Sequence, residues 1–131
     1  QRLLAPGDTQ ITETKINSLY SYGNFMLTGM SEDGCYITLL NEYGISDENY
    51  DKLHIGDSFS VYDINYNEEN NILTLSCGSN GVLLYSWDGM SLETTLIAHV
   101  LSSYAYTAKV FDVNKIIVGT EYGVEVYNLG D

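Results

Sequence analysis

The chain has 131 residues, a mass of 14.6 kDa and 44% hydrophobic residues, which is the size and composition of one folded domain. Eighteen acidic residues against five basic ones give a formal net charge of −13, and such a surface repels nucleic-acid phosphates and anionic lipids. The sequence has no run of about 18 apolar residues. We therefore expect neither a nucleic-acid partner nor insertion into a membrane.

Residues 1–14 come before the repeated part of the chain and are interpreted as an N-terminal extension or an exchanged strand. From residue 15 onward, short apolar and β-branched segments alternate with turn residues, and no segment shows a helical period. The sequence therefore predicts an all-β fold. Single predicted strands lie at Lys15–Tyr20, Asp51–Ile55, Ser58–Tyr66, Leu92–His99 and Tyr104–Phe111.

Three longer segments between these strands resemble one another, at Asn24–Gly44, Asn71–Gly89 and Asn114–Gly130. Each has an Asn, a strand, a turn with a glycine and a second strand. The turn glycines are Gly34, Gly81 and Gly123, spaced 47 and 42 residues apart. Such a period is typical of propeller blades with four strands each. The predicted repeats cover about 15–57, 58–100 and 101–131, with each glycine between the second and third strand.

These repeats resemble the blades of the WD-repeat superfamily and of the related LVIVD-type repeats of bacterial surface proteins. The second repeat ends its third strand with Trp87-Asp88, where the first has Leu40-Asn41 and the third Tyr127-Asn128. The Gly-His pair of a typical WD repeat is missing, although Ala98-His99 lies near its expected position. The hydrogen-bonded tetrad of WD repeats is therefore not transferred to this chain. The resemblance implies a β-propeller-like fold with about three four-stranded blades, and Trp87 is predicted to be buried between two of them.

Three blades are too few to close a propeller, and the third repeat lacks a fourth strand. We expect the fold to be completed by a longer chain or by other copies. The segment Thr9–Ile16 has the composition of a strand that pairs beside Gly123–Leu129 of another copy, because an edge strand offers unpaired backbone groups. A contact of this kind gives either a ring or a filament.

One acidic stretch has oxygen-bearing side chains at alternate positions, as calcium-binding loops do: Asp63, Asn65 and Asn67. The sixth position of such a loop requires Gly, whereas Glu68 lies there, and the twelfth is Thr74 instead of Glu. A solvated acidic turn between two strands is the other interpretation. The acidic stretch 46–51 is predicted to be an exposed loop.

The sequence offers no recognisable catalytic, cofactor-binding or metal site. His54 and His99 are far apart and neither lies near a nucleophile motif, so both are interpreted as structural. Cys35 and Cys77 are predicted to be two buried thiols, with a single disulfide as the alternative.

Twelve tyrosines are distributed over all three repeats. They are interpreted as filling the spaces between blades, and the alternative is that exposed rings supply rigid contact area for sugars or proteins.

The prediction for function is a non-catalytic interaction or scaffold module. Its expected partner is a protein or further copies of the chain, with a glycan as another partner that the tyrosines allow. The alternatives are a structural subunit of a ring or extracellular fibre, assembled by strand exchange, and part of a propeller enzyme with its site in the central channel. The few basic residues and the abundant Tyr and Asn favour a secreted or cell-surface protein.

Overall fold

The computed structural model describes residues 14–40, 52–112 and 114–130. These residues form eleven β-strands joined by turns and loops, and they contain no helix that could cross a membrane. The strands are β1 (Ile16–Tyr22), β2 (Phe25–Met30), β3 (Cys35–Leu39), β4 (Lys52–Ile55), β5 (Asp63–Asn67), β6 (Ile72–Ser76), β7 (Val82–Ser86), β8 (Thr95–Val100), β9 (Ala105–Asp112), β10 (Lys115–Thr120) and β11 (Gly123–Asn128).

The strands form three antiparallel sheets, and each sheet uses strands that are consecutive in the chain. The first sheet has the order β1-β2-β3-β4, the second β5-β6-β7-β8, and the third β9-β10-β11. The all-β prediction is confirmed. Among the described residues the third sheet has three strands, in agreement with the expectation that the third repeat lacks a fourth strand.

The pattern of side chains explains why each strand forms where it does. In β5 the residues Ile64 and Tyr66 are buried while their neighbours are half-buried, which is the alternation of a strand with two unequal faces. In β6 all five residues from Ile72 to Ser76 are buried, because the second sheet is covered on both faces.

The glycines of the three hairpin turns adopt left-handed backbone conformations. Gly34 and Gly81 have φ values of 73° and 76° and directly precede β3 and β7, whereas Gly123 has a φ of 116° and is the first residue of β11. Residues with a side chain adopt such angles reluctantly, so glycine is the natural choice in these turns. The predicted position of each glycine, between the second and third strand of a sheet, is confirmed.

The first strands of the sheets, β1, β5 and β9, lie next to one another, and the sheets stack face to face in chain order. We call the packed layer between the first and second sheets the first interface. Its buried residues are Phe25, Leu27, Cys35, Ile37, Ile55, Val61, Ile64, Tyr66, Leu73, Leu75, Cys77, Leu83, Tyr85 and Trp87. The layer between the second and third sheets, the second interface, has the buried residues Ile72, Val82, Leu84, Val100, Ala105, Ala108, Val110, Ile116 and Val118.

Two of the predicted strand boundaries need correction. The strand predicted at Ser58–Tyr66 begins only at Asp63, because residues 56–62 form a loop in which Gly56 and Ser58 have positive φ. The strand predicted at Leu92–His99 begins at Thr95. The predicted loop at 46–51 and most of the predicted extension 1–14 lie outside the described residues.

Candidate functional site

The third sheet has one covered face and one open face. On the open face, paired residues of neighbouring strands form two rows across the sheet. We call these six residues the far face: Lys109, Ile117 and Val126 in one row, and Thr107, Gly119 and Val124 in the other. Five of them, all except Val126, line a shallow groove with almost no polar surface.

The corresponding rows of the other two sheets are buried. In the first sheet, Leu27 pairs with Ile37 and both belong to the first interface. In the second sheet, Leu84 pairs with Thr74, and Leu84 belongs to the second interface. In the third sheet the corresponding Val126 is 61% exposed. The far face therefore corresponds to the face of the first sheet that the second sheet covers, and to the face of the second sheet that the third sheet covers.

Strand β11 is the outer strand of the third sheet, so its backbone groups on one side are unpaired within the described residues. The turn glycines distinguish this edge from the others. A Cβ atom on Gly34 would lie 2.3 Å from the carbonyl oxygen of Ile55 in β4, and one on Gly81 would lie 2.0 Å from that of Val100 in β8. A Cβ on Gly123 would meet nothing within 4 Å. In the first two sheets the backbone of the fourth strand leaves no room for a side chain at the turn glycine. The third sheet has the glycine but, among residues 14–40, 52–112 and 114–130, no fourth strand.

A polar pocket of about 270 Å³ lies where the loops of all three sheets meet, and we call it the junction pocket. The β2–β3 turn, the β4–β5 loop, the β6–β7 turn and the loop before β9 each contribute to it. Its lining residues are Glu32, Ser58, Ser60, Tyr62, Cys77, Ser79, Asn80 and Tyr104.

Hydrogen bonds and backbone geometry hold the pocket in shape. The backbone N–H of Glu32 donates to Oγ of Ser60 at 2.9 Å, and the hydroxyl of Tyr104 donates to that of Tyr62 at 3.0 Å. The bond to Tyr62 raises the pKa of Tyr104. Glu32 and Ser58 have φ values of 58° and 73°, and they are two of the three non-glycine residues with positive φ in the described part of the chain. Backbone strain of this kind tends to cluster at functional sites.

Trp87 directly follows β7 and is 1% exposed. Its ring contacts Tyr22 and Phe25 of the first sheet and Tyr66 of the second, with centroid distances of 6.1, 5.4 and 4.9 Å. The indole N–H donates to the carbonyl of Ser91 at 2.8 Å. The predicted burial of Trp87 is confirmed, and its place is in the packing between two sheets.

Both histidines perform the same structural task. Nε2 of His54 in β4 lies 2.5 Å from the carbonyl oxygen of Asp33, and Nε2 of His99 in β8 lies 2.6 Å from that of Asn80. Since a carbonyl oxygen can only accept, Nε2 is the protonated nitrogen in both rings. Each of these hydrogen bonds links the fourth strand of a sheet to the residue that precedes the turn glycine of the same sheet.

His54 also belongs to a cluster with Asp33 and Asp57 whose side chains are close enough to hold a metal ion. Nε2 of His54 lies 3.5 Å from a carboxylate oxygen of Asp33 and 3.8 Å from one of Asp57. Because this nitrogen donates its hydrogen to the Asp33 carbonyl, it has no lone pair for a metal. Asp57 is also largely exposed. We interpret the cluster as structural.

Asp63, Asn65 and Asn67 lie in β5, and the acidic turn predicted for this stretch begins only at Glu68, between β5 and β6. Two of them fix the third sheet in place. A carboxylate oxygen of Asp63 accepts from the hydroxyl of Thr107 at 2.7 Å, and the Asn67 amide donates to the carbonyl of Val110 at 3.4 Å. Because both partners lie in β9, the side chains are spread along a strand instead of converging on one ion.

The two cysteines are unpaired and buried in the first interface, which confirms two buried thiols and excludes the disulfide. Burial raises the pKa of Cys77 to about 12 and raises that of Cys35 as well, where the neighbouring Cys77 adds to the effect. Neither thiol is therefore poised for nucleophilic chemistry at neutral pH.

The tyrosines divide between the two predicted uses. Four of them belong to the first interface or pack against it: Tyr20, Tyr22, Tyr66 and Tyr85. Three have exposed rings at or near the third sheet: Tyr62, Tyr106 and Tyr122. Rings therefore both fill the space between sheets and lie at the surface.

Sequence reasoning anticipated the open β11 edge but missed the junction pocket. The repeat alignment contains a signal for the far face, since Val124 and Val126 align with the buried Val82 and Leu84. No comparable signal marks the pocket, whose residues come from four separate loops. The predicted partner strand Thr9–Ile16 also needs correction at its end, because Ile16 already pairs with Met30 within the first sheet.

No protein-family model matches the sequence, and no curated protein matches it either.

Proposed function

We propose that this chain is a non-catalytic interaction module of the β-propeller type, in which the three sheets act as successive blades and the far face is the binding surface. The observation that carries this proposal is the exposure of Val124 and Val126, at positions whose counterparts in the other sheets are buried. Burying apolar area of this kind contributes about 25 cal/mol per Å².

The partner that the surface favours is another copy of this chain. On the opposite side of the first sheet, Leu19 is 67% exposed and pairs with the buried Thr28. This row corresponds to the row Ile64 and Leu75 of the second sheet, which faces the sheet before it. In a contact between copies, the far face of one copy would lie against the Leu19 side of the next, in the order that successive sheets already have within the chain.

Charge supports the same contact. Copies with a net charge of −13 repel one another over most of their surface. The two rows of the far face contain no acidic residue, and Lys109 is their one charged side chain. Repulsion between copies is therefore weakest at this face.

The molar mass in solution, measured by light scattering over a range of protein concentrations, tests the proposal. We expect a mass above that of one chain, and we expect Val126→Lys to return it to a single chain, because a charge would be buried in the contact. Leu101→Lys is the matched control, since Leu101 is 79% exposed and lies outside the far face. A wild-type chain that stays monomeric, or an assembly unaffected by Val126→Lys, would contradict the proposal.

The second candidate is a structural subunit of a ring or fibre assembled by strand exchange. The specific observation in its favour is Gly123, a glycine that fits a fourth strand pairing with β11. In this version, a strand from residues 9–13 of one copy would pair with β11 of the next. Deleting residues 1–13 distinguishes the candidates: strand exchange requires the assembly to dissociate, whereas contact between faces alone leaves it intact.

A further inference from the structure

We infer that the junction pocket is a binding site for one uncharged sugar ring, such as the terminal residue of a glycan. The chemistry of the lining excludes the other common ligand classes. The lining includes no basic side chain, so a phosphate or carboxylate has no counter-charge there. The pocket surface is almost entirely polar, which disfavours hydrocarbon ligands.

Several lining groups are available for hydrogen bonds. The Glu32 carboxylate, the hydroxyls of Ser58 and Ser79 and the side-chain amide of Asn80 have no hydrogen-bond partner among the described residues. Together they offer both donors and acceptors, which is what the hydroxyl groups of a sugar require. The remaining polar groups, on Ser60, Tyr62 and Tyr104, already bond within the pocket and fix its shape.

Tyr62 and Tyr104 are both among the lining residues of the pocket. The rings of Tyr62 and Tyr104 lie 5.9 Å apart, and Tyr106 continues the cluster at 5.2 Å from Tyr104. Gly78 makes this arrangement possible, because a Cβ there would lie 2.8 Å from both Tyr62 and Tyr104. The packed rings hold the hydroxyls of Tyr62 and Tyr104, which are hydrogen-bonded to each other, in place beside the pocket.

The size of the pocket limits the ligand to one ring. Its volume of about 270 Å³ lies just below the range of roughly 300–1,000 Å³ that is usual for drug-sized ligands. A longer saccharide would extend from it into solvent. The site lies at the loop junction and not on the far face, so it does not depend on assembly.

Saturation-transfer NMR with glucose, galactose, mannose and N-acetylglucosamine tests the inference directly. We expect saturable binding of at least one of these sugars, with shifts of the Tyr62 and Tyr104 ring signals in tyrosine-labelled protein. Glu32→Gln and Ser79→Ala should each weaken this binding about tenfold, because the first replaces a charged acceptor oxygen with an amide nitrogen and the second removes a hydroxyl. Ser86→Ala, an exposed serine on β7 away from the pocket, is the matched control and should change nothing.

Two further probes and a folding check make the test decisive. Glucuronate should bind at least about tenfold more weakly than glucose, because its carboxylate would face Glu32. Circular dichroism melting curves confirm that the variants are folded. The inference is wrong if none of the four sugars binds, if Glu32→Gln and Ser79→Ala leave the binding unchanged, or if calcium chloride alone shifts the same ring signals in a Glu32-dependent way. None of these outcomes would change the result expected from the light-scattering test of self-association.

Discussion

The two interfaces between sheets occupy corresponding positions but use different chemistry. The first interface is built around Trp87 and its ring contacts with Phe25 and Tyr66. The second interface has small aliphatic side chains and hydrogen bonds that reach β9, including one from the Thr74 hydroxyl to the carbonyl of Ala108 at 3.3 Å. Large rings bury more apolar area, whereas hydrogen bonds to a backbone fix its position. We conclude that the first interface supplies more stability and that the second determines where the third sheet sits.

The largest expected effect comes from removing the centre of the first interface. Trp87→Ala should lower the free energy of unfolding by about 3–5 kcal/mol, because it leaves a cavity between two sheets. Urea denaturation followed by circular dichroism measures this loss. Tyr122→Ala is the control, since Tyr122 is 81% exposed, and it should cost less than about 0.5 kcal/mol. Equal losses in the two variants would contradict the assignment of Trp87 to the core.

A matching change in the second interface should act more locally. Ile116→Ala, at a fully buried position of β10, should cost about 2–5 kcal/mol. Because the third sheet is covered on one face only, we expect its amides in β9 and β10 to exchange faster with solvent, while those in β2 and β3 keep their protection. Hydrogen exchange measured by mass spectrometry tests this. Uniform acceleration over all three sheets would show that the interfaces do not act separately.

Two hydroxyl groups, on Tyr66 and Thr107, compare a buried hydrogen bond with an exposed one. The Tyr66 hydroxyl lies in the first interface and bonds to the carbonyl of Trp87 at 2.9 Å. Tyr66→Phe should cost about 1–2 kcal/mol, because it leaves a buried carbonyl without its donor. Thr107→Val removes the hydrogen bond from β9 to Asp63 of β5 and should cost less, since that pair is exposed. Thermal melts of the two variants give the ranking, and the reverse order would overturn it.

The effect that is smallest at neutral pH concerns the two thiols. Cys35 and Cys77 both lie in the first interface, and burial raises their pKa values above 9.0, to about 12 for Cys77. The folded state therefore keeps both thiols protonated. Their contribution to stability is complete below the pKa of the unfolded state and is lost as the pH rises toward the folded-state pKa, by at most about 1.4 kcal/mol per pH unit for each thiol.

Urea titrations between neutral and alkaline pH test this dependence. The double variant Cys35→Ala, Cys77→Ala should lose stability less steeply with rising pH than the wild type. Comparing slopes separates the thiols from the tyrosines, which both proteins retain. Identical slopes would mean that the two thiols do not contribute.

The sequence predicted local features better than contacts between distant segments. Alternating side chains and turn glycines depend on neighbouring residues, so strand order and the positions of Gly34, Gly81 and Gly123 followed from them. The contacts of Asp63 and Asn67 were not predicted, because their partners in β9 lie more than 40 positions away. The junction pocket was missed for the same reason, since four loops contribute to it.

Each sheet consists of strands that follow one another directly in the chain, and no strand crosses into another sheet. A duplication or deletion of the segment from β5 to β8, which makes up the whole second sheet, therefore adds or removes one sheet and leaves the hydrogen-bond ladders of the others intact. Because corresponding rows of residues in each sheet pack against the following sheet, an added sheet would have a face that can pack against its neighbour. The architecture can thus change its length in evolution by whole units, without redesign of the parts that remain.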